Sequence, residues 1–152
     1  MSERKIRLED AMPLIRERLA AGHEVTFSPR GTSMLPFLLE GRDTVTLKAP
    51  SGRLKKYDVP LYQRKNGQYV LHRVVRVGET YTCIGDNQFL LEKGIEHGQV
   101  IAVCASFVRN GKKIYAGNFS HRAYAIFWHY SRFPRRVILA IWRRISRIFK
   151  KK

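Results

Sequence analysis

The sequence predicts a mainly β fold: one compact β domain with a short helix at its start and a basic amphipathic helix at its end. Three observations predict it. Between residues 25 and 108, short runs rich in Val, Thr and Tyr alternate with turn residues, as antiparallel strands do. Ahead of them, four apolar residues recur at helical spacing; behind them, a cationic segment shows the same period. The chain has 152 residues and is 44% hydrophobic, which suits one domain with its own core and excludes a disordered chain.

Each element has its own signal. Leu8, Met12, Ile15 and Leu19 make one apolar stripe, which predicts a helix over 8–21. Asp10 is the expected N-cap, which puts Pro13 in the first turn, and Gly22 is the expected stop. Strands are expected at 25–28, 44–47, 59–64, 68–77, 81–84 and 99–108. Asn66-Gly67 and Asn110-Gly111 are hairpin signals, because a type I′ turn needs positive φ at both central residues. Over 135–149, Val137, Ile138, Ile141, Trp142, Ile145, Ile148 and Phe149 share one side of a helix. Arg136, Arg143, Arg144, Arg147 and Lys150 share the other. Three segments follow: a helical segment at 1–24, a β domain at 25–118 and a cationic tail at 119–152.

Charge is placed unevenly. Lys and Arg number 29 and Asp and Glu 12, for a net +17. The last acid is Glu96; residues 97–152 hold 13 basic side chains and no acidic one, so the first 96 residues carry only +4. Aromatics of the tail (Tyr124, Phe127, Trp128, Tyr130, Phe133) are of the kind that settle at a membrane interface. No run of about 18 apolar residues reads as a spanning helix, and the first ten residues do not read as a signal peptide. The expected location is the cytoplasm or the cytoplasmic face of a membrane. Cys83 and Cys104 exclude a disulfide scaffold and a four-thiolate zinc site and read as buried free thiols. His23, His97, His121 and His129 lack ligand spacing; no metal or cofactor is expected.

Three places can carry chemistry. Ser33 sits at a bend between Gly31-Thr32 and Met34-Leu35-Pro36, where backbone N–H groups can bind an oxyanion; the plain alternative is a turn former. His72 lies inside an apolar strand and reads as a base or as a satisfied structural residue. Asp86 lies in Gly85-Asp86-Asn87, where turn formation is again the plain alternative. If Gly78-Glu79-Thr80 forms the hairpin loop, Val77 pairs with Tyr81 and His72 falls opposite Asp86, close enough for a carboxylate to hold an imidazole tautomer. A two-residue loop sends the two side chains to opposite faces.

Taken in order, Ser33-Met34 with Pro36, Gly41-Arg42-Asp43-Thr44-Val45, Leu71-His72-Arg73-Val74-Val75 and Ile84-Gly85-Asp86-Asn87 resemble the type I signal peptidase family. The match is to its Ser-His branch of endoplasmic reticulum, archaeal and Gram-positive type, related to LexA-type peptidases, and covers about residues 25–108. The resemblance implies a serine endopeptidase that cuts an extended precursor or leader peptide after a small residue. It implies Ser33 as nucleophile, His72 as general base and Asp86 as the acid supporting it, with Met34 and Pro36 beside the substrate. Glu92 stands near the family's second acidic position, one carbon longer than the usual Asp, or is an ordinary surface acid. The Ser33 backbone N–H is the implied oxyanion donor. Family members often carry a further donor Ser two positions before the nucleophile; Gly31 stands there, so this donor is missing unless Thr32 or another group replaces it.

Members of that branch usually have a spanning anchor before the Ser, and this chain has a short helix. The expected partners are therefore a peptide or protein substrate and an anionic membrane surface, the latter through Ile138, Ile141, Trp142, Ile145 and Phe149. Two other readings compete: an inactive peptide-binding module on the same fold, and nucleic-acid binding by the basic tail, ranked last because a nucleic-acid helix rarely needs a continuous apolar face. Docking of the tail on the β domain or on a partner protein ranks between membrane and nucleic acid.

Overall fold

The computed structural model describes residues 8–149, the side chains of residues 143 and 145–149 excepted. Along the chain lie helix α1 (Leu8–Ala20) and strands β1 (Val25–Phe27), β2 (Thr44–Lys48), β3 (Pro60–Gln63), β4 (Tyr69–Leu71) and β5 (Arg73–Val77). Then come β6 (Tyr81–Ile84), β7 (Glu92–Ile95), β8 (Val100–Arg109) and β9 (Lys112–Tyr115), followed by helices α2 (Phe119–Tyr130) and α3 (Arg132–Phe149). The architecture is mainly β. One antiparallel sheet runs β1-β2-β8-β3-β4, with β9 also on β8; the other runs β5-β6-β7.

Strand β3 is buried on both faces and β8 alternates between buried and half-buried residues with none exposed, which is why their sequences read as nearly unbroken apolar runs. Leu61, Ala102 and Cys104 join Met12, Ile15 and Leu19 of α1, the loop residues Met34, Phe37 and Leu38, and Val45, Leu47 and Phe107. Tyr62 points the other way, into a second cluster with Leu54, Val74, Tyr81, Cys83 and Ile95, and Val100 and Val103 pack against it. The period-two alternation thus splits the core into two layers. Because α1 supplies three residues of the first layer, it belongs to the β domain's core.

Several local expectations change. The described helix already runs at Leu8, so Asp10 lies with Glu9 in its first turn instead of capping it, and Pro13 lies inside the helix. Buried Met12, Ile15 and Leu19 hold the helix across the N–H that Pro13 lacks. Asn110 and Gly111 both have positive φ (49° and 75°) and close the β8–β9 hairpin between Arg109 and Lys112, as a type I′ turn requires. At Asn66-Gly67 only the glycine is positive; the Gly67 N–H bonds Arg64 O at 2.9 Å within a longer loop, so the expected type I′ turn is not formed. Strands β7 and β9 were not expected: one is a polar Glu-Lys-Gly-Ile segment, the other a short edge starting with two lysines. The tail holds two helices. Tyr124 and Trp128 of α2 pack inward on the domain, whereas Phe127, Tyr130 and Phe133 stay exposed. No helix among the described residues is long and apolar enough to cross a membrane.

Candidate active site

The expected strand 68–77 is two strands, and the chain changes sheets at His72. Strand β4 pairs with β3 in the first sheet, β5 with β6 in the second, and the His72 N–H bonds Pro60 O at 3.3 Å. The β5–β6 hairpin closes through residues 78–80, with Val77 opposite Tyr81 and Arg76 opposite Thr82. A bulge at Val75 then moves the pairing by one: Val74 faces Cys83 and Arg73 faces Ile84. Carried one step further, this register sets His72 beside Gly85 and puts Asp86 on the face of Arg73. The expected His72–Asp86 pair is therefore not formed.

Glu92 holds the histidine instead. Cys83 pairs with Glu92 across β6–β7, so Val74, Cys83 and Glu92 share the face on which His72 lies. His72 Nδ1 lies 2.9 Å from Glu92 Oε1. Tyr62 Oη donates to Glu92 Oε2 at 3.0 Å and sits 3.4 Å from Nδ1. Arg64 forks onto the same carboxylate, its Nε 2.9 Å from Oε2 and an Nη on Oε1. A carboxylate only accepts, so Nδ1 carries the proton and Nε2 presents its lone pair. Among the described residues Nε2 has no hydrogen-bond partner. Burial pushes the His72 pKa below the usual histidine value, the Glu92 charge only partly opposing it, so the ring is neutral at neutral pH. Burial pushes the Glu92 carboxyl up, but bonds from Arg64 and Tyr62 and the nearby His72 outweigh it and leave the acid below its ordinary range.

Asp86 has another partner. Both its oxygens receive Arg73, Nε to Oδ1 and Nη2 to Oδ2, each at 2.8 Å, and both side chains are 2% exposed. Tyr124 Oη donates to Oδ2 at 3.2 Å, and Trp128 Nε1 donates to the Asp86 carbonyl at 2.7 Å. Arg73 also lies over the Phe37 ring, 4.8 Å from its centroid, and donates to the carbonyl of Tyr57, a non-glycine residue held at φ 77°. The carboxylate thus fastens α2 to the domain and neutralises a buried guanidinium.

Ser33 is half-buried in the loop between β1 and β2, with Met34, Phe37 and Leu38 anchoring that loop in the core. The Leu35–Pro36 peptide is cis, and Pro36 is exposed. The Asn87 N–H bonds the Ser33 carbonyl at 2.8 Å, and Asn87 Nδ2 bonds the Thr32 carbonyl at 3.1 Å. Gly85 is required here by contact: a Cβ on it would lie 2.6 Å from the Ser33 carbonyl oxygen. The serine loop therefore rests on the residue beside which the register sets His72. No hydrogen bond joins Ser33 to His72, and among the described residues the Ser33 N–H and hydroxyl are uncommitted. Gly31 donates its N–H to Glu40 at 2.8 Å, and Thr32 is exposed with its carbonyl tied down.

Ser33 and Met34 line a cavity of about 570 Å³ whose other walls are α1, Phe27 of β1 and Tyr69, Val70 and Leu71 of β4. Strands β1 and β4 are the two ends of the path β1-β2-β8-β3-β4 in the larger sheet, so the cavity lies between two strand edges. Asp43, from the second motif, is buried; its Arg42 partner holds its carboxyl below the usual range, and it accepts the Leu39 N–H at 2.9 Å, closing the serine loop's far end. Among the described residues no group of three His, Cys, Asp or Glu side chains could hold a metal. Cys83 and Cys104 are free, and burial pushes both thiols up to about 12.

Chemically, the arrangement offers a neutral imidazole with one nitrogen clamped and the other open, a serine on an adjacent loop, an uncommitted N–H on that serine, and an apolar cleft between two strand edges. Arg64 and Tyr62, which complete the histidine's support, were not among the expected site residues. Only the Asn66-Gly67 turn hinted that Arg64 would fold back toward the sheet. Comparison with family models, curated proteins and solved structures returns no match.

Proposed function

We propose that this protein is a serine endopeptidase with a Ser33–His72–Glu92 relay. The observation that carries the reading is the clamped histidine: buried, its Nδ1 2.9 Å from Glu92 Oε1 and its Nε2 without a partner among the described residues. In the proposed reaction Ser33 Oγ attacks the peptide carbonyl while His72 Nε2 takes the hydroxyl proton. The tetrahedral oxyanion accepts the Ser33 N–H. Collapse breaks the C–N bond, His72 returns the proton to the leaving amine, and water hydrolyses the ester by the same route. Glu92 keeps the productive tautomer and balances the transient imidazolium. The substrate is an extended peptide laid along a sheet edge in the cleft, with a small residue before the cut.

The test is cleavage of a diverse peptide library, read by mass spectrometry, for wild type, Ser33→Ala and His72→Ala. Cleavage by wild type alone is expected. Cleavage that survives Ser33→Ala overturns the assignment. The uncommitted serine and the use of the Gly31 N–H by Glu40 favour one second reading, a peptide-binding module on the same cleft. Its signature is peptide binding by a folded wild type that cuts nothing.

A further inference from the structure

We propose that α3 is an interfacial helix that holds the protein on an anionic lipid surface and so sets the cleft close to it. Its apolar face is unpartnered: Phe133, Ile138, Ile141 and Trp142 are 53–76% exposed, and Phe127 and Tyr130 of α2 are exposed as well. Docking on the β domain, which would cover these residues, is therefore not what the fold does with them. The side chains of Ile145 and Phe149, expected on the same face, lie outside the described part. What α3 packs with is its own base: Arg135 stacks 3.4 Å above the Trp128 ring and donates to the Trp128 carbonyl at 2.8 Å.

Charge selects the occupant. Residues 119–152 contain ten Lys or Arg, and no acid follows Glu96. A second copy of the same segment would bring like charges together, so self-association through α3 is disfavoured. Nucleic acid would engage the arginines and leave Ile, Phe and Trp in water. Anionic lipid satisfies both faces, acyl chains taking the apolar side and headgroups the cations, with Trp142 suited to the boundary. At 18 residues the helix is about 27 Å long. Carrying that many charges, it lies in the interface plane instead of crossing. The cytoplasmic leaflet carries such lipids.

The attachment also reaches the site. Arg135 grips Trp128, Trp128 Nε1 holds the Asp86 carbonyl, and the adjoining Asn87 N–H holds the Ser33 carbonyl. A membrane-held α3 therefore fixes the height of the serine loop above the lipid, and the peptides it favours are those presented next to a membrane.

The experiment is co-sedimentation of the full chain with phosphatidylcholine vesicles and with vesicles of equal phosphatidylcholine and phosphatidylserine, beside a DNA duplex titration at matched salt. Wild type and Ser33→Ala are expected to bind the anionic vesicles alike, which separates lipid binding from peptidase activity. Ile138→Asp with Ile141→Asp, on exposed positions, should weaken binding at least about 100-fold with the circular dichroism of the domain retained. Arg136→Gln with Arg144→Gln should weaken it by about fivefold per residue on anionic vesicles. Undiminished vesicle binding by the Asp pair overturns the proposal. So does tighter binding to DNA than to vesicles, or a wild-type dimer that the Asp pair dissociates.

Discussion

Asp86 and Glu92 are both acids near His72, and replacing each by its amide separates their jobs. Asp86→Asn removes the charge from a pair in which both partners are 2% exposed and joined by two bonds of 2.8 Å. Arg73 is then a buried cation without a counter-ion, a loss of about 3–5 kcal/mol. For a chain of this size each kcal/mol moves the midpoint by about 2–4 °C, so Tm should fall by about 6–20 °C. Glu92 is 18% exposed and its partner Arg64 30%, so Glu92→Gln should disturb stability far less. Its effect belongs to the histidine. The Glu92 charge supports protonation of His72 against the pull of burial, so its removal drives the His72 pKa lower still. The acidic limb of kcat/KM then moves to lower pH, while the rate falls by about 10²- to 10⁴-fold as the tautomer is freed. Thermal melts give the first comparison. Imidazole NMR titration of His72 gives the second, independently of any substrate. Two results refute the reasoning: an Asp86→Asn protein within about 1 kcal/mol of wild type, or a His72 titration that responds to Asp86→Asn and ignores Glu92→Gln.

Two further predictions follow from the packing. Gly85→Ala should force the Ser33 loop away from the hairpin, since its Cβ meets the Ser33 carbonyl at 2.6 Å; a loss of about 2–4 kcal/mol is expected by urea denaturation, with cleavage falling further than stability alone explains. His121 packs against Phe37, Phe107 and Tyr124, with Arg73, Asp86 and Arg122 as the charges around it, and burial followed by the Arg73 charge pulls its pKa down to about 4. The unfolded chain takes up that proton near pH 6.5 and the folded one only near pH 4. Stability should therefore drop by about 3 kcal/mol as pH falls between those values and level off below, and His121→Phe should abolish that part of the slope in urea melts.

The mainly β architecture was legible because turn residues and β-branched runs alternate, and α1 because its stripe is buried as spaced. The hairpin loop after Val77 was only half legible: its place was marked by Gly78-Glu79-Thr80, but two and three residues stayed open until the Val77–Tyr81 pairing fixed three. The bulge at Val75 was not legible: Val74, Val75 and Arg76 include no glycine, proline or turn residue, so nothing in the composition marks where the register shifts. That one residue reassigned both acids. Strand β7 was illegible for a related reason. Glu92 is at a strand start because Cys83 pairs with it, a tertiary fact, while Lys93 and Gly94 argue locally against a strand. Composition does not separate the inward aromatics of α2 from the exposed ones: Tyr124 and Trp128 have polar ends that a buried carboxylate and carbonyl can use as well as a membrane interface can, while Phe127 and Tyr130 stay exposed.

The sheet change at His72 explains how a neutral imidazole comes to be buried here. Leaving one ladder and entering the other carries residue 72 into the space between the sheets, where its ring is 2% exposed. Burial alone would keep the imidazole neutral and also make it a poor base, since the charged form it must adopt in a reaction has no solvent. A lone carboxylate beside it would overcorrect, drawing a proton onto the ring in the resting state. Arg64 resolves this conflict. Forked onto Glu92, it cancels the carboxylate's charge at rest while leaving Oε1 in contact with Nδ1, so the cluster of Arg64, Glu92 and neutral His72 is close to electroneutral. When Nε2 gains a proton, the new charge meets an acid already oriented and held below its ordinary pKa. In the proposed reaction the histidine is thus neutral until Ser33 gives up its proton, which is the condition a general base at neutral pH has to meet.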